Sequence, residues 1–400
     1  MSFKDANRFP FSKRTDWPVE ENPLSLAFQS LQQKGMDIID LTTSNPTQCD
    51  FPIQTEAILK PFNDQRNLCY QPDPKGIREA REAVAHYYSR RGFDVFPDRM
   101  ILTSSTSEGY LYLFRLLANP DDQILFPQPS YPLFPFLGDI ADVRMDFYPL
   151  VFHDGWKVDF PALKEKLDDR TRAIVLVNPN NPTGSYIKQE ELAAMNRLCQ
   201  QRNLALISDE VFWDFPFSPT KKKETLVQNS SVLSFTLGGL SKTLGLPQMK
   251  MSWIVLNGPK KTVEEAHKRL ELIADTFLSV NTPAQHAVSS WLSQAEIIQK
   301  IIHDRLIINL NMLRRKVEGC SQVQLFAPEG GWYAVVKLPA KQEEEQWVLD
   351  FLKEDHVFVH PGYFFDFQEQ PFIVLSLLVP PQSLEEGLER IIARIETAES

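Results

Sequence analysis

Residues 231–256 read SVLSFTLGGLSKTLGLPQMKMSWIVL, with Lys242 near the middle of the stretch. Apolar runs at 232–235 and 251–256 predict two strands, and the glycine-punctuated segment between them predicts a tight turn. A lysine in a tight, largely uncharged turn is desolvated, which lowers the pKa of its amine toward the range where it is a nucleophile. Exposed loop lysines are far commoner than catalytic ones, so this interpretation depends on what the rest of the chain places around Lys242.

The composition indicates an acidic protein of enzyme size. Its 400 residues leave room for one large domain and a smaller one, and a net charge of −10 disfavours nucleic acid and anionic membranes as partners. No run approaches the length of a membrane span, and the polar start lacks the apolar core of a signal peptide. The cysteines are scattered without a CxxC pair, which predicts free thiols, a cytoplasmic location and no metal site: Cys49, Cys69, Cys199 and Cys320.

Helix-like and strand-like segments alternate along the chain from about residue 75. The short apolar runs lie at 100–103, 123–126, 173–177, 204–207, 232–235 and 251–256, and segments of helical spacing include 76–91, 189–202 and 262–277. Continuous apolar runs alternating with helices predict strands buried on both faces, hence an α/β domain with a mostly parallel sheet between two layers of helices over 46–283. A helical region (284–317), a β-rich part (323–378) and an amphipathic tail (384–395) predict a smaller α+β domain, 284–400 joined by 1–45.

Polar residues follow five of the predicted strands, at the sheet edge where α/β proteins bind ligands. The segment 104–108, SSTSE, precedes a helical stretch, and a helix N-terminus suits a phosphate group, although a serine-rich helix cap is the simpler interpretation of this segment alone. Tyr131 lies between prolines, where it is placed to stack on a flat ring, although a lone loop aromatic usually packs. The turn 178–184, NPNNPTG, would hold an asparagine amide rigidly at the sheet edge.

Asp209 ends the fourth of these runs. A carboxylate at the end of a buried strand is costly unless it has a cationic or N–H partner, and a structural salt bridge is the simplest explanation. Together, however, the strand ends supply a phosphate cradle, a stacking ring, a hydrogen-bonding amide, an acid and an amine. These are the parts needed to hold pyridoxal 5′-phosphate, whose ring acts as an electron sink when an acid keeps its nitrogen protonated.

The chain resembles the fold-type I pyridoxal-phosphate enzymes, specifically the class I/II aminotransferases related to aspartate aminotransferase. The resemblance runs along most of the chain, in YQPDPKGIREAR (70–81), NPNNPTG (178–184), SDEV (208–211), SK (241–242), NTPAQ (281–285) and PEGGWY (328–333). The order and spacing of the NPTG, SDEV and SK strings are highly specific to this family.

The resemblance implies a role for each matching residue. Lys242 is similar to the lysine that forms the internal aldimine, a Schiff base with the cofactor, and that moves the proton at the substrate carbon; Asp209 is similar to the acid at the ring nitrogen. The remaining cofactor-binding positions are Asn181 at the ring 3-oxygen, Tyr131 stacked on the ring, and Ser105, Thr106, Ser107 and Ser241 at the phosphate. The tyrosine matching Tyr70 reaches the cofactor of a neighbouring subunit, which implies a homodimer with shared active sites.

Three positions depart from the family pattern. Phe212 replaces a tyrosine that often hydrogen-bonds the 3-oxygen, and Lys250 replaces an arginine on the phosphate. Val374 stands where an arginine usually holds the substrate α-carboxylate, and the only arginines after Arg315 are Arg390 and Arg394 in the terminal helix. Either another cation substitutes (Lys13, Arg14 and Arg78 are candidates) or the natural substrate lacks a free α-carboxylate.

The resulting functional hypothesis is an aminotransferase (EC 2.6.1.-) that moves an amino group from an amino acid or related amine to a 2-oxo acid. A lyase, decarboxylase or synthase on the same fold is the alternative, because cofactor-binding residues do not distinguish these reactions. A non-catalytic sensor is disfavoured by the acidic charge and by the short segment ahead of the matching region.

Overall fold

An eight-stranded mixed sheet forms the centre of the fold. The structure is a computed structural model and describes residues 9–18, 21–53, 55–218, 223–368 and 371–398. The strands are β1 (Ile39–Asp40), β2 (Met100–Thr103), β3 (Gln123–Gln128), β4 (Arg144–Phe152), β5 (Trp156–Val158), β6 (Thr171–Val177), β7 (Ala205–Asp209), β8 (Ser234–Gly239), β9 (Ser252–Asn257), β10 (Gln324–Phe326), β11 (Tyr333–Lys337), β12 (Val357–Phe358), β13 (His360–Pro361) and β14 (Phe372–Ser376).

Helices cover the sheets and connect their strands. They are α1 (Pro23–Gln33), α2 (Thr55–Leu59), α3 (Arg78–Ser89), α4 (Thr106–Leu117), α5 (Phe134–Ala141), α6 (Phe160–Lys166), α7 (Gln189–Arg202), α8 (Leu240–Thr243), α9 (Lys260–Phe277), α10 (Thr282–Ser293), α11 (Ala295–Glu318), α12 (Glu344–Lys353) and α13 (Pro381–Thr397). Among the described residues, no helix is both long and apolar enough to cross a bilayer.

The order of strands in the large sheet is β2-β9-β8-β7-β6-β3-β4-β5. The five strands from β8 to β4 are parallel to one another, and β9 is antiparallel to both of its neighbours, so that β2 points the same way as β8. The carboxyl ends of β2, β3, β6, β7 and β8 therefore meet at one edge. This arrangement confirms the α/β class and the expectation that the residues following these strands converge.

Both faces of the sheet are buried, as the continuous apolar runs predicted. In β6, Ala173 and Val175 belong to the core on one side, while Ile174 and Leu176 belong to the core on the other. Alternate residues of a strand point to opposite faces, so each face needs its own layer of helices. Helices α4 and α9 contact each other on the first side, and α7 contributes Met195 to the second.

A second unit of structure follows β9 along the chain. Four strands form an antiparallel sheet in the order β10-β11-β14-β13, and β1 pairs in parallel with β12. The core between this sheet and helices α11, α12 and α13 includes Leu310, Trp347 and Ile395. This is the smaller α+β part expected from the sequence, and the β1–β12 pair joins the N-terminal segment to it.

Several predicted boundaries were wrong around Lys242 and beyond. β8 extends through Gly239, so the two glycines lie in a strand and not in a turn, and Lys242 lies in the one-turn helix α8. A Cβ atom at Gly238 would lie 2.5 Å from Nε1 of Trp253 on β9, which explains why this strand pair needs glycine there. The helical region 284–317 is two helices that meet at Gln294, and the edge strands β4 and β5 were not predicted.

Candidate active site

Lys242 and Asp209 lie at the carboxyl edge of adjacent strands and influence each other electrostatically. Desolvation lowers the pKa of the Lys242 amine to about 8, and the negative charge of Asp209 opposes that decrease. Burial raises the pKa of the Asp209 carboxyl to about 6, against the stabilising effects of its hydrogen bonds and of Lys242. An amine with a lowered pKa beside a buried carboxylate is the kind of perturbed pair that marks functional sites.

Two aromatic rings enclose the Lys242 amine. Its Nζ lies 4.9 Å from the ring centroid of Trp332 and 5.5 Å from that of Phe212. Trp332 is brought here by a turn whose backbone N–H groups at Glu329 and Gly330 donate to the carbonyl of Gly184. The rings exclude water from the amine, which accounts physically for its lowered pKa. The sequence motif PEGGWY indicated only the resemblance to the family, and the sequence did not predict the contact of Trp332 with Lys242.

Asp209 has the partners that its burial requires. The backbone N–H of Val211 donates to Oδ1 at 3.2 Å, and the hydroxyl of Tyr110 donates to Oδ2 at 3.1 Å. Asp209 as a whole is 9% exposed, so these bonds offset a large desolvation cost. Tyr110 was not predicted, because it lies inside α4 and meets β7 only through the tertiary fold.

The N-terminus of α4 opens toward the same edge of the sheet. Ser105 caps the helix, since its hydroxyl accepts the N–H of Glu108 at 3.1 Å, and the Glu108 carboxylate accepts the N–H of Ser104 at 2.6 Å. The simpler interpretation of this segment as a helix cap is therefore correct for Ser105. Thr106 and Ser107 occupy the first turn, where N–H groups have no partner within the helix and attract anions.

Asn181 presents an unsatisfied amide oxygen in the turn that follows β6. Asn178 and Asn180 anchor the turn, donating to the carbonyls of Glu224 and Pro129. Asn181 is only 7% exposed, yet within the described part of the chain its Oδ1 accepts no hydrogen bond. A buried amide oxygen without a donor is costly, so this position is suited to a polar ligand, toward which the amide nitrogen of the same side chain can donate.

The other predicted site residues differ in their surroundings. Tyr131 is 44% exposed and lies edge-on to Phe134, and burial together with the charge of Asp209 raises the pKa of its phenol. Ser241 precedes Lys242 on α8. Lys250 is exposed, with a left-handed backbone at φ 48°, and Tyr70 is 73% exposed. Electrostatic interactions thus connect Tyr131 and Lys242 to Asp209, and Ser241 adjoins Lys242, while Tyr70 and Lys250 are exposed.

These groups fit pyridoxal phosphate, and the fit rests on the unsatisfied Asn181 amide oxygen, the open N-terminus of α4 and the Lys242–Asp209 pair. The profile of the aminotransferase class I and II family matches residues 36–391, and the chain belongs to that family. It is a pyridoxal-phosphate-dependent aminotransferase, as the sequence analysis predicted.

Named relatives and solved structures agree with this assignment. The chain is 28% identical to the glutamate-pyruvate aminotransferase AlaA of Escherichia coli over 86% of this chain and 87% of that protein. It is also 28% identical to the alanine aminotransferase of Mycobacterium tuberculosis over 90% and 86% of the two chains. The structure of alanine aminotransferase from Pyrococcus furiosus superimposes with a TM-score of 0.89 at 25% identity, covering 97% of this chain and all of that one.

Proposed function

We propose that this aminotransferase transfers an amino group from an amino acid or related amine to a 2-oxo acid at the site centred on Lys242 and Asp209. The observation that carries the proposal is the pairing of an amine whose pKa is lowered to about 8 with a buried carboxylate across the ends of β7 and β8. At pH 7 a useful fraction of such an amine is neutral, whereas an ordinary lysine is almost entirely protonated.

Each remaining group has a role in holding the cofactor. Lys242 would attach it covalently, Asn181 would donate to its ring 3-oxygen, and Tyr131 would stack on its ring. The phosphate would bind at the N-terminus of α4, with Ser105, Thr106, Ser107, Ser241 and the charge of Lys250. When bound, the cofactor supplies an electron sink that stabilises negative charge at the carbon bearing the amino group.

The chain's own groups carry the protons of the reaction. Lys242, enclosed by Trp332 and Phe212, would remove the proton from the donor's amino-bearing carbon. It would return a proton to the acceptor when the amino group is passed on. Asp209 would hold a proton at the cofactor's ring nitrogen, and Tyr110 and the Val211 N–H would keep its carboxylate in place. Because Phe212 lacks a hydroxyl, Asn181 would be the one of these two residues that donates a hydrogen bond to the 3-oxygen of the cofactor ring.

A substitution at Lys242 tests the catalytic assignment. We expect Lys242→Ala to lose lysine-dependent absorbance of the bound cofactor and at least about 10³-fold in turnover, because both attachment and proton transfer need the amine. Lys260→Ala is the matched control, since its side chain is 82% exposed on α9. Full turnover by Lys242→Ala would contradict the proposal, and release of ammonia or CO₂ without amino transfer would favour a lyase or decarboxylase.

We also propose a homodimer with shared sites, in which Tyr70 binds the phosphate in the partner's site. Tyr70 and the neighbouring Leu68 are 73% and 90% exposed, and an apolar interface between subunits would bury both side chains. Mixed dimers provide the test: Lys242→Ala and Tyr70→Ala subunits each lack one part, and together they form one complete site per mixed dimer. Random mixing of equal amounts makes half of the dimers mixed, so roughly a quarter of wild-type activity should return. Activity no greater than the mean of the two parents would contradict it.

The remaining expectations concern the division of the chain and its location. We infer a large domain over 46–283, which contains the whole eight-stranded sheet, and a small domain formed by 1–45 with 284–400. Residues 1–8, 19–20, 369–370 and 399–400 of the small domain lie outside the described residues. A cytoplasmic location is supported by three buried free thiols, at Cys49, Cys199 and Cys320. Limited proteolysis and cell fractionation test these two inferences.

A further inference from the structure

Helix α8, which carries Lys242, has four residues and depends on contacts at both of its ends. A single helical turn has little stability of its own, because forming it fixes several residues for one hydrogen bond. At the start of α8, the N–H of Leu240 donates to the carbonyl of Met251 at 3.0 Å. At its end, Thr243 directly follows Lys242, and Pro247, four residues after Thr243, has no N–H with which to continue the helix. The Thr243 carbonyl therefore needs a partner from elsewhere in the fold.

Gln299 on α11 supplies that partner. Its Nε2 donates to the Thr243 carbonyl at 3.0 Å, across 56 residues of sequence. The same nitrogen also donates to the hydroxyl of Tyr87 at 3.4 Å, and Nη2 of Arg91 donates to the Gln299 Oε1 at 2.7 Å. A guanidinium can only donate and a carbonyl oxygen can only accept, so one orientation of the amide satisfies both neighbours. Arg91 thus fixes the direction in which the Gln299 amide faces.

Arg91 is itself held by the segment that follows β7. Its Nε donates to Oδ1 of Asp214 at 2.9 Å, and the Tyr87 hydroxyl donates to Oδ2 of the same carboxylate at 2.5 Å. Both members of the Arg91–Asp214 pair are largely buried, so water screens their attraction only weakly. Asp214 lies two residues after Phe212, whose ring faces the Lys242 amine. A continuous chain of hydrogen bonds therefore joins the segment of Phe212 to the residue next to Lys242.

The position of α8 decides how the Lys242 amine is enclosed. Its Nζ lies 4.9 Å from the ring centroid of Trp332 and 5.5 Å from that of Phe212. Desolvation has the largest effect on the pKa of this amine, and the charge of Asp209 opposes it. If the backbone of α8 moved away from the rings, water would reach Nζ, and the first consequence would be a better solvated amine.

We propose that Gln299, oriented by Arg91, is a positioning residue that holds α8 so that the Lys242 amine stays enclosed by its two aromatic rings. This inference rests on the proposed function, since it takes Lys242 as the amine that captures the cofactor. Gln299 carries no chemical step, because it acts through the backbone of Thr243. Since α11 packs on α13 in the smaller α+β part, the same bond ties that part of the fold to the site.

The variant Gln299→Met tests the proposal, because methionine has a similar length but cannot donate to the Thr243 carbonyl. The readout is the rate at which the apoenzyme captures pyridoxal phosphate between pH 6 and 10. In the wild type this rate should level off near the pKa of the Lys242 amine, which is about 8. A looser α8 admits water and should move the plateau up by about one pH unit, which lowers the rate about tenfold at pH 7 and leaves it nearly unchanged at pH 10.

Lys300→Met is the matched control. Lys300 neighbours Gln299 on α11, and its side chain is 73% exposed and paired with Asp304, so the plateau should stay in place. Urea unfolding shows whether each variant is folded, and a general loss of stability would lower the rate at every pH without moving the plateau. An unmoved plateau in folded Gln299→Met would overturn the inference and leave the proposed function intact. Capture by the wild type at a lysine other than Lys242 would overturn both.

A second variant, Gln299→Glu, keeps the test decisive if Gln299→Met does not fold. The carboxylate retains an acceptor for Arg91 but cannot donate to the Thr243 carbonyl, and its negative charge also favours the protonated amine of Lys242. The plateau should therefore again move upward, and an unmoved plateau would overturn the inference. A shift in Gln299→Glu with none in folded Gln299→Met would also overturn it, because charge alone would then be responsible.

Discussion

Capture of pyridoxal phosphate by the apoenzyme should depend on pH in a way that reports the environment of Lys242. The pKa of its amine is lowered from 10.5 to about 8. At pH 7 roughly a tenth of the amine is then neutral, against roughly 0.03% for an ordinary lysine, which is a gain of about 300-fold in reactive amine. The capture rate should therefore rise about tenfold per pH unit up to pH 7 and level off above pH 8.

The assay is the rate of absorbance change after mixing apoenzyme with cofactor between pH 6 and 10. Cofactor mixed with a free lysine derivative under the same conditions is the reference, and its rate should keep rising to about pH 10. Borohydride reduction followed by peptide mapping shows that the bond forms at Lys242 and not at an exposed lysine such as Lys260.

The variant Asp209→Asn tests the cause of the lowered pKa of Lys242. Asp209 opposes the effect of desolvation on Lys242, so Asp209→Asn should lower the pKa of the amine further and move the plateau to lower pH. A rate that keeps rising to pH 10 in the wild type would refute the argument, because it would show a solvated lysine. A plateau that moves upward in Asp209→Asn would refute the inferred sign of the interaction.

Three further substitutions test the packing around the site by urea unfolding of the apoprotein. Asp209→Asn should stabilise the apoprotein at pH 8 by up to about 3 kcal/mol. The reason is that a carboxyl whose pKa is raised from 3.8 to about 6 destabilises the fold increasingly as the pH rises through that window. Below pH 4 the gain in the free energy of unfolding should vanish. Asp214→Ala should cost about 3–5 kcal/mol, since it removes the carboxylate that neutralises the largely buried guanidinium of Arg91, 2.9 Å away. Gly238→Ala should cost about 1–3 kcal/mol and weaken cofactor binding, because its Cβ would lie 2.5 Å from the indole nitrogen of Trp253 and displace the strand that leads to Lys242.

Each of these variants has a control or a contradicting outcome. For Asp209→Asn, a stability gain that persists at pH 4 would show that packing and not ionisation is responsible. The double variant Asp214→Ala/Arg91→Ala should lose less than the sum of the single changes, and strict additivity would argue against a coupled pair. Gly319→Ala is the control for Gly238→Ala, since the nearest atom to its Cβ would be the carbonyl oxygen of Lys316, at an ordinary 3.4 Å; equal losses would mean that the close contact is not the cause.

The sequence predicted the parts of the site that depend on local order. The strings around Asn181, Asp209 and Lys242 each follow an apolar run, and parallel strands bring such ends to one edge whatever their loops do. The α/β class followed from the same alternation. The boundaries of β8 were wrong because glycine is ordinarily a turn signal, whereas here the close approach of Trp253 requires it within a strand.

Contacts between distant segments could not be predicted in this way. Tyr110 meets Asp209 across 99 residues, and Tyr333 meets Ser44 across 289. No local pattern distinguishes these hydroxyls from those of the many tyrosines that simply pack. Their partners are determined by how the helices and the four-stranded sheet pack against the eight-stranded sheet.

The sequence by itself determined the chemistry available to this protein: an amine, a carboxylate, an amide and a phosphate-binding helix end at successive strand termini. Only the tertiary structure decided the electrostatic environment of those groups. Burial shifts the pKa values of Lys242 and Asp209 toward each other, and the packing of β11, β13 and β14 leaves Val374 fully buried. The physical reason is that desolvation and Coulomb interaction depend on distance in space, which the order of residues does not specify.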